Sequence, residues 1–279
     1  MPKVSTVTLE IATFSTVLGI CSQQLPTQAE VSTDNGGILA LVANGEDFVR
    51  QGFVSKDGWE ISFDRVYVNL AEANAYQAES GFEPTEKDSI DTVEYQKKVS
   101  FLDSPTVVDL AAGEADAAPI LVARAETDGG FYNALGWKIA TAGENTVIPG
   151  NTMVLQGKAA KDGQTIHFNL GFNRPIEYVC GEYVGDARKG IVKAGETGEV
   201  EATFHFDHIF GDNEAPADDA LNLEALGFEP LADLASGNSL DLDESALSEE
   251  LSPENYQKLT KAISGLGHVG EGHCAASSL

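Results

Sequence analysis

Hydrophobic and polar residues alternate over much of the chain between Gly36 and Phe210, and this pattern predicts β-structure. The clearest case is Trp59–Leu70, which begins with a near period of two. Such a period is typical of a strand with one face in the core. Asp-Gly and Gly-Gly pairs between apolar runs indicate turns. The other predicted strands are Ile38–Val42, Val99–Leu110, Ile120–Ala125, Trp137–Ala140, Met153–Ala159, Thr165–Gly171, Ile176–Cys180 and Glu199–His208.

Beyond Gly211 the spacing of apolar residues changes to that of helices. The strongest helix prediction is Pro253–Ser264, because Ser252 suits the N-cap and Gly265 suits the C-terminal stop. Proline at the first helical position fits as well. The shorter predicted helices are Ala220–Leu226, Leu231–Ala235 and Glu244–Leu251.

Many short strands with few helices predict a mainly β fold, an antiparallel β-sandwich with a short α-helical C-terminal extension. We expect three parts: a signal-like or lipoprotein-like segment at 1–29, the sandwich at 36–210, and an acidic extension at 211–279. The extension carries a glycine-rich, flexible tail with histidines and is expected to pack on the sandwich.

Charge narrows the possible partners. The chain has 17 Lys and Arg against 44 Asp and Glu, a formal net charge of −27. Such a surface repels nucleic-acid phosphates and anionic membranes, so no nucleic-acid partner is expected. It attracts cations; the alternative is a solvated, salt-tolerant surface without a specific ligand.

The N-terminus has the layout of an export signal. Lys3 precedes an apolar, hydroxyl-rich stretch, Ile11–Ile20, which ends at Cys21. Cys21 is a candidate lipidation site that would anchor the protein to a membrane, and a cut after Ala29 is the alternative. These features predict a protein of the periplasm or outer cell envelope.

The cysteines are consistent with export. If Cys21 is lipidated or removed, Cys180 and Cys274 remain and can form a disulfide in an oxidising compartment. Two unrelated buried thiols are the alternative.

Histidine is the residue type that points to chemistry. The chain has only five, and four of them form two close pairs near the C-terminus. Imidazole is the commonest protein ligand of transition metals, and carboxylates often complete such sites. The predicted metal ligands are His205, His208, His268 and His273, with Asp207 and Glu271 as carboxylate alternates.

Geometry decides whether the two pairs can meet. In a strand, His205 and Asp207 share one face, and His208 joins them only at a bulge, a bend or a helical turn. His273 adjoins Cys274, so the predicted disulfide would carry it toward the strand Ile176–Cys180, which we expect to pair with the strand that holds His205. The fifth histidine, His167, is predicted to lie on the surface.

Ligand chemistry suggests the ion. Imidazole with carboxylate suits Zn²⁺, with Cu²⁺ or Ni²⁺ as alternatives, whereas two methionines in the chain argue against a thioether copper(I) site. The His-Glu-x-x-His motif of zinc proteases and the Gly-x-Ser-x-Gly motif of hydrolases are absent. We therefore predict no catalytic residue and no organic cofactor.

Two segments, Trp59–Leu70 and Gly130–Leu135, resemble a family of uncharacterised secreted bacterial lipoproteins with a β-sandwich domain. The resemblance implies fold and location only. It assigns no functional residue, and the histidines lie outside it.

The predicted function is that of an exported protein that binds a divalent transition metal, acting as a periplasmic metal buffer, chaperone or sensor. One alternative is an interaction module of the cell envelope, which needs no metal and whose protein partner the sequence does not identify. A second alternative is a zinc-dependent hydrolase.

Overall fold

Two large β-sheets form the frame of the protein in the computed structural model, which describes residues 36–279. Strands account for 44% of the residues and helices for 16%, which confirms the prediction of a mainly β fold. The described residues belong to one compact unit. The predicted signal segment at 1–29 and the predicted lipidation site at Cys21 lie outside them.

The strands are, in chain order, β1 (Gly36–Asn44), β2 (Phe53–Val54), β3 (Glu60–Ala78), β4 (Tyr95–Ser100), β5 (Thr106–Asp109), β6 (Ile120–Asp128), β7 (Gly130–Phe131), β8 (Ala134–Ile139), β9 (Met153–Lys161), β10 (Gln164–Phe172), β11 (Ile176–Cys180), β12 (Ile191–Val192), β13 (Thr197–Phe204), β14 (Ser239–Asp243), β15 (Gly267–Val269), β16 (Gly272–His273) and β17 (Ala275–Ser278). The helices are α1 (Glu46–Gln51), α2 (Asp207–Phe210), α3 (Ala220–Glu224), α4 (Glu229–Ala232), α5 (Glu244–Glu250) and α6 (Pro253–Ser264).

The first sheet has the strand order β16-β15-β13-β1-β6. The second has the order β14-β10-β9-β3-β8-β11-β17, and β2, β4 and β5 also pair with the long strand β3. A small third sheet joins β12 to β7. Pairing is antiparallel except for β1 with β13 and β10 with β14, which are parallel.

Aromatic side chains fill the space between the two large sheets. Trp137 on β8 lies 6.1 Å from Phe204 on β13, measured between ring centroids. Phe63 on β3 lies 6.1 Å from Phe206, which follows β13. These side chains are buried except for Phe63, which is half-buried, and contacts of this kind stabilise a core beyond the area they bury. Val200, Ala202 and Phe204 of β13 are buried, as the alternation of apolar residues along this strand predicts.

Three expectations about the strands were wrong. Val99–Leu110 is two strands, β4 and β5, separated by a turn that contains Pro105, and both strands pair with β3. The strand predicted to reach His208 ends at Phe204, and a helical turn follows. Strand β11 does not pair with β13: it lies in the other sheet, between β8 and β17.

The C-terminal extension contains the predicted helices with shifts at their ends, and α6 has the predicted bounds. The Ser252 hydroxyl caps α6 by accepting a hydrogen bond from the Asn255 N–H at 3.2 Å. Strand β14 was not predicted; it extends the second sheet by pairing with β10. No helix within residues 36–279 combines the length and apolarity needed to cross a bilayer.

Candidate metal centre

His205 and His208 lie where β13 turns into a helix. The His205 N–H donates to the Leu266 carbonyl at 3.1 Å, and the His208 N–H donates to the His205 carbonyl at 3.3 Å. The second bond closes a helical turn, in which residues three apart share a face. The two ring centroids are consequently 5.8 Å apart. Of the geometries considered above, the helical turn is the one that forms.

His268 and His273 lie opposite each other in the hairpin of β15 and β16. His268 also pairs with Thr203 of β13, so the hairpin belongs to the first sheet. The glycines of this segment allow close packing: a Cβ at position 267 would lie 2.4 Å from the Tyr178 ring, and one at 270 would lie 2.0 Å from the Val184 carbonyl oxygen. The predicted flexible tail is therefore a paired strand segment.

The two pairs of histidines meet in one cluster. The ring of His268 lies 4.0 Å from that of His205, 5.0 Å from that of His208 and 4.5 Å from that of His273, measured between centroids. One ring nitrogen from each of His205, His208 and His268 lies within 4.8 Å of the others. The remaining histidine, His167, is exposed on β10 and takes no part.

Hydrogen bonding determines which nitrogen of His268 is free. Its Nε2 lies 3.2 Å from the Gly265 carbonyl oxygen, which can only accept. Nε2 must therefore carry the proton, and Nδ1 keeps its lone pair. This Nδ1 is buried and has no hydrogen-bond partner within residues 36–279, and the same holds for Nε2 of His205. His268 is 2% exposed and His205 is 7% exposed. An unpartnered buried polar atom costs about 1–3 kcal/mol, so two in one cluster require an explanation.

Burial keeps the central imidazoles neutral. Burial, and repulsion of a second positive charge by the neighbouring His205 and His208 rings, together lower the pKa of His268 to about 3. Burial also lowers the pKa values of His205 and His208, although the Asp207 carboxylate partly opposes this effect. At neutral pH these rings therefore offer lone pairs rather than positive charge.

Three carboxylates lie beside the rings. Asp207 is 8% exposed, and its Oδ1 has no hydrogen-bond partner in the described part of the chain. Glu271 is exposed at the hairpin turn. Glu46 was not predicted: its Oε1 lies 3.5 Å from Nε2 of His205, and these two residues form a second potential ligand group with Glu271. Burial raises the pKa of Glu46 to about 7, and the charges of Glu271 and Asp207 add to the effect.

Parallel pairing explains how Glu46 reaches the cluster. Asn44 at the end of β1 is in register with Thr203 near the end of β13, so Glu46 and His205 each follow by two residues at the same edge of the sheet. Glu46 has φ of 59°, which side chains other than glycine rarely adopt. Its N–H donates to the Asn44 side chain at 2.9 Å. No local sequence signal identifies a parallel partner, which is why Glu46 was missed.

A buried hydrogen-bond network supports both edges of the cluster. Glu201, 3% exposed, accepts from the Asn44 side-chain amide at 2.9 Å and from the Thr203 hydroxyl at 3.1 Å, and it pairs with Lys189. The Thr203 hydroxyl in turn accepts from the Gly270 N–H at 2.9 Å. The loop after β1 and the hairpin turn are thus joined through one carboxylate. Such outer partners orient the ligands of metal sites.

The predicted disulfide between Cys180 and Cys274 is confirmed. It joins the end of β11 to the residue that follows His273. Strand β17 then pairs with β11, with Ala275 opposite Val179. Covalent and hydrogen-bonded links therefore hold the C-terminal end of the hairpin.

The cluster opens into a cleft of about 570 Å³. The histidines and Glu271 form one wall, and side chains of α3 and α6, including Leu221 and Ala262, form the other. Lys261 and Glu224 pair across these helices at 2.8 Å, and both are largely exposed. A small molecule could therefore enter the cleft beside the cluster, although His205 Nε2 and His268 Nδ1 are themselves buried.

Searches with this chain against protein-family models, curated proteins and solved structures returned no match.

Proposed function

We propose that this protein binds a divalent transition metal ion, zinc in the first place, through His205, His208 and His268. One observation carries the proposal: three imidazole nitrogens lie within 4.8 Å of one another, and buried ring nitrogens of His205 and His268 have no hydrogen-bond partner in the described chain. Coordination to an ion would satisfy those atoms and offset the cost of burying them.

The distances suit a small ion after modest side-chain rotation. A tetrahedral zinc with Zn–N bonds of about 2.0–2.1 Å places its nitrogen ligands roughly 3.3 Å apart. The separations here, at most 4.8 Å, exceed that by an amount that rotation about side-chain bonds can supply. His273 is exposed, and its ring is 4.5 Å from that of His268, so it is available as a fourth ligand.

Ligand type favours zinc, copper(II) and nickel(II) over magnesium and calcium. Neutral imidazoles suit Zn²⁺, Cu²⁺ and Ni²⁺, whereas Mg²⁺ and Ca²⁺ prefer oxygen. The hydrogen bond from His268 Nε2 to a backbone carbonyl is the kind of outer contact that orients metal-binding histidines. Cu²⁺ and Ni²⁺ are the ions to compare with zinc.

The proposed cellular role is that of an exported metal buffer, chaperone or sensor. The Cys180–Cys274 disulfide supports export, since such bonds persist mainly in oxidising compartments. A lipid anchor at Cys21 and location in the periplasm or outer envelope belong to the same proposal. The net charge of −27 would raise the local concentration of cations near the site.

Metal analysis tests the proposal. The protein is stripped with EDTA and dialysed, in separate samples, against buffered zinc, copper(II) or nickel(II). Bound metal is measured by elemental mass spectrometry and by competition with a chelating dye. We expect stoichiometric zinc in the wild type, loss of tight binding in His208→Ala and His268→Ala, and no change in the control His167→Ala. If none of the three metals is retained, or if both variants bind like the wild type, the proposal is wrong and the metal-free interaction module becomes the better explanation.

The cleft supports a second candidate, a zinc-dependent hydrolase. Catalytic zinc sites keep one coordination position open to water or substrate, and the cluster here faces a cavity of about 570 Å³. Hydrolysis of chromogenic ester, phosphoester or peptide substrates that stops on chelation and returns with zinc would support this function. Stoichiometric zinc without any such activity would leave binding alone as the function.

A further inference from the structure

We propose that the cluster is a two-ion centre, in which Glu46, Glu271 and His205 hold a second divalent ion beside the imidazole-bound zinc. This inference rests on the proposed function and extends it. The second ion belongs to the class that accepts mixed oxygen and nitrogen ligands, with Zn²⁺ and Mn²⁺ as the main examples.

The carboxylate position has the spacing of a ligand group. One oxygen from each of Glu46 and Glu271 and one nitrogen of His205 lie within 4.8 Å of one another. Nε2 of His205 lies 3.5 Å from Glu46 Oε1, too far for a good hydrogen bond, and it has no other partner within residues 36–279. A buried ring nitrogen without a hydrogen-bond partner thus lies beside two carboxylates.

The backbone is held so that Glu46 faces this position. A φ of 59° at a non-glycine residue costs of the order of 1–3 kcal/mol and persists only where surrounding contacts impose it. Those contacts are the Asn44 side chain, which accepts from the Glu46 N–H, and Glu201, which accepts from Asn44. The same Glu201 reaches the turn before Glu271 through Thr203. One buried network therefore holds the backbone at Glu46 and at Gly270, which precedes Glu271.

The arrangement of the rings assigns His205 to the second ion. The rings of His205 and His268 are stacked 4.0 Å apart with an angle of 12° between their planes. A neutral imidazole has one lone pair, on its unprotonated nitrogen, so His205 can bind only one of the two ions through Nε2, which lies 3.5 Å from Glu46 Oε1. When both ions are bound, His273 replaces His205 beside His208 and His268 around the first ion, with ring separations of 4.5–6.3 Å.

Asp207 has the position of a shared ligand. Asp207 lies two residues after His205 and directly before His208, and its negative charge acts to raise the pKa of both histidines. Its Oδ1 is buried without a hydrogen-bond partner in the described residues. Paired ions in proteins lie about 3.5–4 Å apart, a distance that a carboxylate can bridge. Within residues 36–279, no Lys or Arg lies within 4.0 Å of the Glu46, Asp207 or Glu271 carboxylates. Two dications would supply the missing positive charge.

Stoichiometry tests the inference. The stripped full chain is titrated with ZnCl₂ at high salt, which screens weak binding to the acidic surface, and bound zinc is counted by elemental analysis and native mass spectrometry. We expect two zinc ions in the wild type and one, bound at nearly wild-type affinity, in Glu46→Gln and Glu271→Gln. The matched control Asp47→Asn, an exposed neighbour in the first turn of α1, should keep two.

The outcomes separate this inference from the function on which it rests. One zinc in the wild type, with Glu46→Gln binding it equally well, would overturn the two-ion centre and leave the zinc function standing. Two ions in both glutamate variants would place the second ion elsewhere and overturn the inference as well. No zinc at all would remove both. Melting curves of the variants in EDTA that match the wild-type curve would show that the variants remain folded although they bind one ion fewer.

Discussion

Replacing His268 with leucine should separate metal binding from stability. Leucine has a similar volume and no polar atom, so the change removes a buried, unpartnered Nδ1 together with one hydrogen bond to the Gly265 carbonyl. The first loss relieves about 1–3 kcal/mol and the second costs about 1 kcal/mol. In EDTA we therefore expect His268→Leu to have a free energy of unfolding within about 1 kcal/mol of the wild type, or above it.

Zinc should reverse the order of stability. At free zinc 100-fold above the dissociation constant, an ion that binds only the folded state adds about 2.7 kcal/mol to the wild type. Mutating a residue that only hydrogen-bonds to a metal ligand typically weakens metal binding about 10–100-fold. Loss of a direct ligand should therefore weaken it at least about 100-fold. At the same free zinc the variant then gains only about 0.4 kcal/mol. The predicted difference is therefore about 2 kcal/mol, present in zinc and absent in EDTA.

Urea unfolding at pH 7.5, followed by tryptophan fluorescence in EDTA and in buffered zinc, measures both quantities. His167→Leu is the matched control, because this exposed histidine lies outside the cluster and should leave the zinc effect unchanged. Two results would contradict this prediction. A loss above about 3 kcal/mol in EDTA would make His268 a structural core residue, and equal stabilisation of variant and wild type by zinc would remove it from the ligand set.

Three further predictions concern the disulfide, the cap of α6 and the protons released on metal binding. Replacing Cys180 and Cys274 with serine opens a loop of 94 residues and should lower the free energy of unfolding by about 4–5 kcal/mol, measured under non-reducing conditions; an unchanged urea midpoint would contradict this. Ser252→Ala removes the hydroxyl that caps α6 and should cost about 1 kcal/mol with no change in zinc affinity. Saturating zinc should release about one proton at pH 6 and almost none at pH 8, measured by calorimetry in buffers of different ionisation enthalpy. The expected proton release follows from two pKa values. The pKa of Glu46 is raised to about 7, so its carboxyl is protonated below that pH in the metal-free protein. The pKa of His268 is lowered to about 3, so this ring has no proton to lose. Release of two or more protons at pH 6 would indicate ordinary histidines with pKa values near 6.5.

Local sequence patterns were sufficient to locate most strands, one helix and the four histidines of the site. Alternation located the centres of most strands because one face of each meets the core. The bounds of α6 were predictable because a serine cap, a proline and a glycine all act within a few residues of the helix ends. The four histidines stood out because the residue is otherwise rare in the chain, and the two cysteines because only one pairing was open once Cys21 was set aside.

Pairing between distant segments was decided only in three dimensions. Sequence alternation identifies a strand but not its neighbours, so β13 was assigned the wrong partner and β14 was not predicted. The hairpin of β15 and β16 looked like a flexible tail because its glycines carry no apolar pattern. Gly267 and Gly270 are nevertheless needed for close packing against Tyr178 and Val184.

The same contrast between local sequence patterns and pairing of distant segments applies to the site. The four histidines could be selected as candidate ligands from residue type and spacing alone, since these are local properties of the sequence. Glu46, 159 residues before His205 in the chain, joins them only in the folded protein. It does so because the parallel pair of β1 and β13 ends at one edge of the sheet, with Asn44 beside Thr203. That register is set by the packing of two whole sheets, a free energy summed over many residues that no single segment of sequence encodes.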